Sequence, residues 1–129
     1  ETIASNAAIL ADYAEAKKMK ACEITIEKFI DRVDENDKVA VEIMDHVVYA
    51  LSIAISNISN TFNISNLIIG GEILRIDDLL DRIKKCLKKF CLPYVYKNIK
   101  IKKSHFSHRN NTVGAVYVVL DKFFAGDII

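Results

Sequence analysis

A chain of 129 residues that is 51% hydrophobic and 27% charged, with one Pro and four Gly, has the size and composition of one globular unit, which excludes disordered and fibrous classes. Eighteen basic against 17 acidic side chains leave a formal charge of +1, so the overall balance makes no case for nucleic acid or an anionic membrane. Three cysteines, Cys22, Cys86 and Cys91, form no CxxC pair; they read as reduced thiols of a reducing, cytoplasmic compartment and not as a zinc knuckle.

The chain opens on Glu1 instead of Met, so a processed piece or part of a longer protein is expected, and no basic region precedes an apolar h-region. Thr2 to Lys18 reads as a first helix with Ser5 as a possible cap and many alanines. Thr25 opens a short second helix, in which Ile26, Phe29, Ile30 and Val33 recur at helical spacing, and Asp34-Glu35-Asn36-Asp37 breaks it. A long third helix runs from about Lys38 to Thr61. Its stripe is predicted along Ala40, Met44, Val47, Leu51, Ala54, Ile58 and Phe62, widened by Val41, Val48 and Ile55. Glu42, Asp45, His46, Ser52, Ser56 and Asn57 interrupt its apolar run, which predicts a buried core helix and no membrane span.

After a turn at 63–66, Leu67-Ile68-Ile69 forms an apolar run ended by Gly70-Gly71, as a buried parallel strand would. Ile76 to Phe90 is predicted as an amphipathic helix with Leu79, Leu80, Ile83, Leu87 and Phe90 on one face, and Pro93 ends it. Ile99 and Ile101 alternate with lysines, as in an edge or half-buried strand. A polar loop at 105–111 leads to a last helix over Thr112 to Phe124. Helix, strand, Gly-Gly and helix in succession predict an α/β class.

Few residues point to chemistry. Paired glycines between a strand and a helix let a backbone approach a ligand and expose its N–H groups, although a plain tight turn has the same sequence. His105 and His108 have no Asp, Glu or Cys beside them in sequence and read as solvent-facing loop residues. Asp45 and His46, adjacent on a helix, point in different directions. Lys84, Lys85, Lys88, Lys89, Lys97, Lys100, Lys102 and Lys103 cluster, but Asp77, Asp78 and Asp81 lie close by in sequence, so a solvated face is expected. No GxSxG, Walker loop or HExxH pattern occurs.

Three segments in order resemble the ROK family. Glu1-Thr2-Ile3-Ala4-Ser5 is similar to the sequence after that family's cysteine-rich zinc motif. The long helix followed by Asn66-Leu67-Ile68-Ile69-Gly70-Gly71-Glu72-Ile73-Leu74 is similar to its helix, loop and strand ending in Gly-Gly. Asn110-Asn111-Thr112-Val113-Gly114-Ala115 is similar to its last segment, where a Gly-Ala step opens the final helix. The resemblance implies an α/β, ribonuclease H-like (actin-like ATPase) fold. Residues 1–129 would be the C-terminal portion of the sugar-binding domain, a partial lobe of long helices on a short sheet.

The resemblance further implies that Glu1 matches a glutamate that binds a sugar hydroxyl, and that Gly70 and Gly71 match positions near the nucleotide in family kinases. No catalytic residue, cofactor or metal ligand is expected in this piece. Zinc, the catalytic Asp and any DNA-binding helix-turn-helix would lie upstream. Sugar, DNA and a second copy in a homodimer are the implied partners of the whole protein, with no membrane. Both sugar kinases and sugar-responsive repressors belong to the family. The opening segment, together with Ser107-His108-Arg109-Asn110-Asn111-Thr112 where kinases tend to show Gly-Asn-Asp-Ala, favours the repressors of the xylose and N-acetylglucosamine type. A pure oligomerisation module is a third reading.

Overall fold

The computed structural model describes residues 3–104 and 116–125, and the backbone of 110–115. The elements in chain order are α1 (Asn6–Lys17), α2 (Ile26–Asp34), α3 (Lys38–Phe62), β1 (Asn66–Ile69), α4 (Leu79–Phe90), α5 (Pro93–Asn98), β2 (Lys100–Lys103) and α6 (Asn110–Ala125). Short 3₁₀ turns at Ala21–Glu23 and Glu72–Arg75 join α1 to α2 and β1 to α4.

Side chains start the helices where the sequence placed them or a little later. The Ser5 hydroxyl accepts from the Ala8 amide, so α1 begins at Asn6 and not at Thr2. Thr25 caps α2 by accepting from Lys28 N. Asp37 caps α3 by accepting from both Val39 N and Ala40 N. Lys18, Asn36 and Asn63 take positive φ, and each stands just past the end of one of these three helices. The predicted helix from Ile76 begins only at Leu79, because Ile76 takes an extended backbone (φ −64°, ψ 119°) after the 3₁₀ turn. Pro93 does not merely end that helix. It takes the first position of α5, where its missing N–H costs nothing.

One core joins the layers. Ile9 and Tyr13 of α1, Phe29 and Ile30 of α2, and Ala40, Met44 and Val47 of α3 pack with Leu79, Ile83 and Leu87 of α4. Burial of each large side chain contributes about 1.5–3 kcal/mol. The α3 stripe departs from prediction in its second half. Ala54 is exposed, Ile58 is 45% and Phe62 71% exposed, and Leu51 is half-buried. Val48 and Ile55 are buried as predicted, and the buried face there is completed by Ser52, Ser56 and Ser59 in place of Ala54, Ile58 and Phe62. Two of the buried hydroxyls are satisfied along the helix itself, Ser52 onto Val48 O at 2.7 Å and Ser56 onto Ile53 O at 2.8 Å, while that of Ser59 has no partner among the described residues. Length and composition alone would let α3 cross a membrane. Its packing against α1, α2 and α4 makes it a core helix.

The strands β1 and β2 pair in parallel, with Leu67 opposite Ile101 and Ile68 opposite Lys102. The ladder extends through Lys100 N to Ser65 O and Ser104 N to Ile69 O. The expected parallel direction holds, but β1 is not buried. Ile68 is 72% exposed and Leu67 and Ile69 are half-buried, because this sheet has two strands and covers β1 on one face only. Ile101 points into the core between exposed lysines, as its alternation predicted.

Candidate functional site

Gly70 and Gly71 stand at the C-terminal tip of β1. Gly70 is exposed; Gly71 has φ 135° and ψ 161°, a region that only glycine occupies without strain. A side chain there would meet no atom within 4 Å. Backbone conformation, and not crowding, therefore requires this glycine. The turn leads into a four-residue 3₁₀ segment, which lacks the aligned dipoles of an α-helix N-terminus that would hold a phosphate.

A hydrogen bond connects this tip to the start of α1. The Asn6 side-chain amide donates to the Glu72 carboxylate at 2.8 Å. Ser5 and Asn6, which follow the Glu1 segment, thus lie beside the residue after Gly71. Glu1 itself lies outside the described residues, as do His105 and His108. Asp45 and His46 are both exposed, and Asp45 pairs with Arg82 of α4, a partner that sequence spacing gave no means to find.

Three clefts open elsewhere among the described residues. One of 630 Å³ lies between α1 and α2, lined by Tyr13, Lys17, Ile24, Arg32 and Asp37 among others. Two ion pairs lie within it: Lys17 Nζ meets Asp37 at 2.7 Å and Arg32 meets Glu35 at 2.7 Å. The hydrogen bond from Lys17, followed by the Ala40 and Val39 amides, holds the Asp37 carboxyl below its ordinary range although burial opposes it. The same bond raises Lys17. A polar cleft of 340 Å³ is lined by Asn63, Asn66, Tyr94, Asn98 and Lys100. A third, of 420 Å³, is lined by Val33, Asp45, Ile76 and Arg82. Gly70 and Gly71 line none of the three.

Among the described residues, no three His, Cys, Asp or Glu side chains converge to hold a metal ion. Cys22 is exposed, Cys86 half-buried and Cys91 buried with its thiol pushed up by desolvation. The donors among the described residues do not fit a zinc ion.

Comparison with known proteins adds what the geometry leaves open. The model of the ROK family matches residues 1–122. A glucokinase of Halalkalibacterium halodurans is 27% identical over 97 residues, 74% of this chain and 29% of that protein. A crystal structure of a ROK family transcriptional regulator, a homologue of the E. coli MLC protein, superposes with a TM-score of 0.68 at 27% identity over 79% of this chain and 28% of its own. A proposed sugar kinase from Cytophaga hutchinsonii superposes with a TM-score of 0.71 at 15% identity, over 88% of this chain and 41% of its own. The chain therefore spans well under half the length of each of these relatives.

Proposed function

Because the chain belongs to the ROK family, we propose that it is the effector-sensing and dimerising part of a sugar-responsive transcriptional repressor. Its fold, helices on a short parallel sheet, is that of the ribonuclease H-like, actin-like ATPase class shared by the regulator and kinase structures. The observation that carries the sugar-sensing reading is the bond from Asn6 to Glu72, which ties the segment following Glu1 to the Gly-Gly tip of β1. On this reading the Glu1 carboxylate accepts from a sugar hydroxyl. Binding in a cleft between this lobe and the preceding one would favour one lobe arrangement and respace DNA-binding segments in the rest of the protein. The outer stripe of α3, Ala54, Ile58 and Phe62, supports a contact with a second copy. The zinc of the whole protein belongs, on this reading, to the preceding cysteine-rich segment, and a cytoplasmic location follows from the role.

The likeness to a transcriptional regulator over 79% of the chain supports a repressor, as does a Gly-Gly tip that leads into only a 3₁₀ turn and offers no phosphate cradle. A second reading, the C-terminal lobe of an ATP-dependent hexose kinase, draws on the 27% identity to a glucokinase. Titrating the parent protein with xylose, N-acetylglucosamine and glucose separates them. A repressor binds one of these sugars without turning over ATP, and Glu1→Gln lowers its sugar affinity by about tenfold or more through loss of a charged hydrogen bond. ATP-dependent phosphorylation of a hexose would replace the repressor reading with the kinase one.

A further inference from the structure

The lysines of α4 are less neutralised than their neighbours in sequence suggest. From Arg82 to Lys103 the chain holds nine Lys and Arg residues and no Asp or Glu, so the rest of this nearly neutral protein is strongly acidic. The aspartates that made a solvated, balanced face the expectation, Asp77, Asp78 and Asp81, all lie at the N-terminal end of α4. Asp81 pairs with Lys84 at 3.5 Å, and Asp45 is taken up by Arg82. Asp81, the nearest of them, lies one turn before Lys85 but seven residues, about 10 Å of helix, before Lys88, beyond the screening length of about 8 Å at physiological salt. Among the described residues, no carboxylate pairs with Lys85, Lys88 or Lys89, and all three are exposed.

With Lys84, these side chains form two rows on α4, Lys84–Lys88 and Lys85–Lys89, each spanning one helical turn or about 6 Å. The opposite face of the helix, Leu79, Ile83 and Leu87, is fully buried and fixes the rows outward. Covering four lysines with other protein, and no acid to meet them, would cost several kcal/mol per ion in desolvation. On this chain the face is exposed to solvent.

We propose that the outer face of α4 is an electrostatic contact for the phosphate backbone of duplex DNA beyond the operator, an inference that rests on the repressor reading above. Lysine ammonium groups are point charges without the bidentate fork of arginine, which suits phosphate contact and not base reading. A duplex presents one charge about every 1.7 Å and gains affinity by counterion release. The acidic remainder of the chain repels the same polyanion and so orients this face toward it. An acidic protein surface offers no comparable regular array of charge.

The test uses the full-length parent and two duplexes, a minimal operator and a long duplex of random sequence, titrated across salt concentrations. The triple variant Lys85→Gln, Lys88→Gln, Lys89→Gln is expected to bind the long duplex about tenfold or more weakly at low salt. Its salt slope should fall by about two to three, close to 0.9 per lost phosphate contact. Sugar affinity and thermal stability stay unchanged, and the matching Lys→Arg triple variant retains binding. An unchanged affinity and slope, with operator binding intact, overturns this inference and leaves the repressor reading standing. Lysine-dependent duplex binding without operator preference overturns the repressor reading and keeps the surface. Absence of any duplex binding defeats both.

Discussion

Asp37 makes three bonds from one carboxylate. It caps α3 through Val39 N at 3.0 Å and Ala40 N at 3.2 Å and also receives Lys17 from the end of α1. Asp37→Ala removes the cap and the ion pair together, and the cap alone is worth about 1 kcal/mol. Asp37→Asn keeps a good cap and loses only the charge, so in denaturant titrations it is expected to destabilise less. The pH dependence follows from the directions of the shifts. The folded carboxyl is held below its unfolded value, so its contribution is present above the usual carboxylate range and disappears as pH falls through it. The raised Lys17 contributes below its ordinary range and loses that contribution as pH rises through its folded value. The acid limb of a stability-pH curve should flatten in Asp37→Asn; an unchanged limb would assign the acid sensitivity to other groups. The Asp37 break and the Ser5 cap were legible in the sequence as residue types. The bond of Asp45 to Arg82 was not, because 37 residues separate the partners and only the docking of α4 on α3 joins them.

At the scale of elements, the packing of α3 against α4 is the largest joint in the fold, and its two sides were not equally readable. Three Leu and Ile residues four apart announced the buried face of α4, and all three are fully buried. The face of α3 was read correctly through Val47, Val48 and Ile55 and misread at Ala54, Ile58 and Phe62, since hydrophobicity weights Ile58 and Phe62 above Ser56 and Ser59. Close approach of two helices favours small side chains that can return their hydroxyls to the helix backbone, a signal absent from an apolar pattern. Ile83→Ala tests this joint directly. A fully buried, tightly packed site relaxes little, so the loss is expected at about 2–5 kcal/mol, read as a lower midpoint in denaturant with the slope preserved. A loss under about 1 kcal/mol would mean that the joint is loosely filled. The strand β1 shows a third kind of limit. Its apolar run predicted burial, but burial depends on neighbours, and a two-stranded sheet supplies one on a single side.

Across the described residues, the densest exposed apolar surface lies on the last helix, with smaller contributions from α3 (Ile58, Phe62), the start of α5 (Leu92, Tyr94) and β1. The last helix, α6, exposes Val116, Tyr117, Val118, Val119, Leu120, Phe123 and Phe124, each at 42% or more. The outer face of β1 adds Ile68. A patch on this scale is unusual for a lone soluble domain, and it fits a chain that spans 28% and 41% of two solved relatives. The isolated 129-residue chain is therefore expected to bind a hydrophobic dye and to self-associate with rising concentration. A version truncated after Ser104 should do both markedly less in the same sedimentation and fluorescence measurements. Equal dye binding by the two forms would remove α6 as the source. Family and fold class were legible because ordered short segments survive in a partial chain. The Glu1 site was not open to structural reading, since it lies outside the described residues.

The Asn60 carboxamide spans the end of α4: its Nδ2 donates to the Phe90 carbonyl at 3.1 Å while its Oδ1 accepts from the Leu92 amide at 3.0 Å. One side chain thus does what a neighbouring strand would do, answering a donor and an acceptor at once. Spontaneous hydrolysis of that amide to a carboxylic acid would keep the acceptor and erase the donor, setting negative charge against a carbonyl oxygen. Loss of that single donor would leave the Phe90 carbonyl without its side-chain partner and loosen the turn into α5.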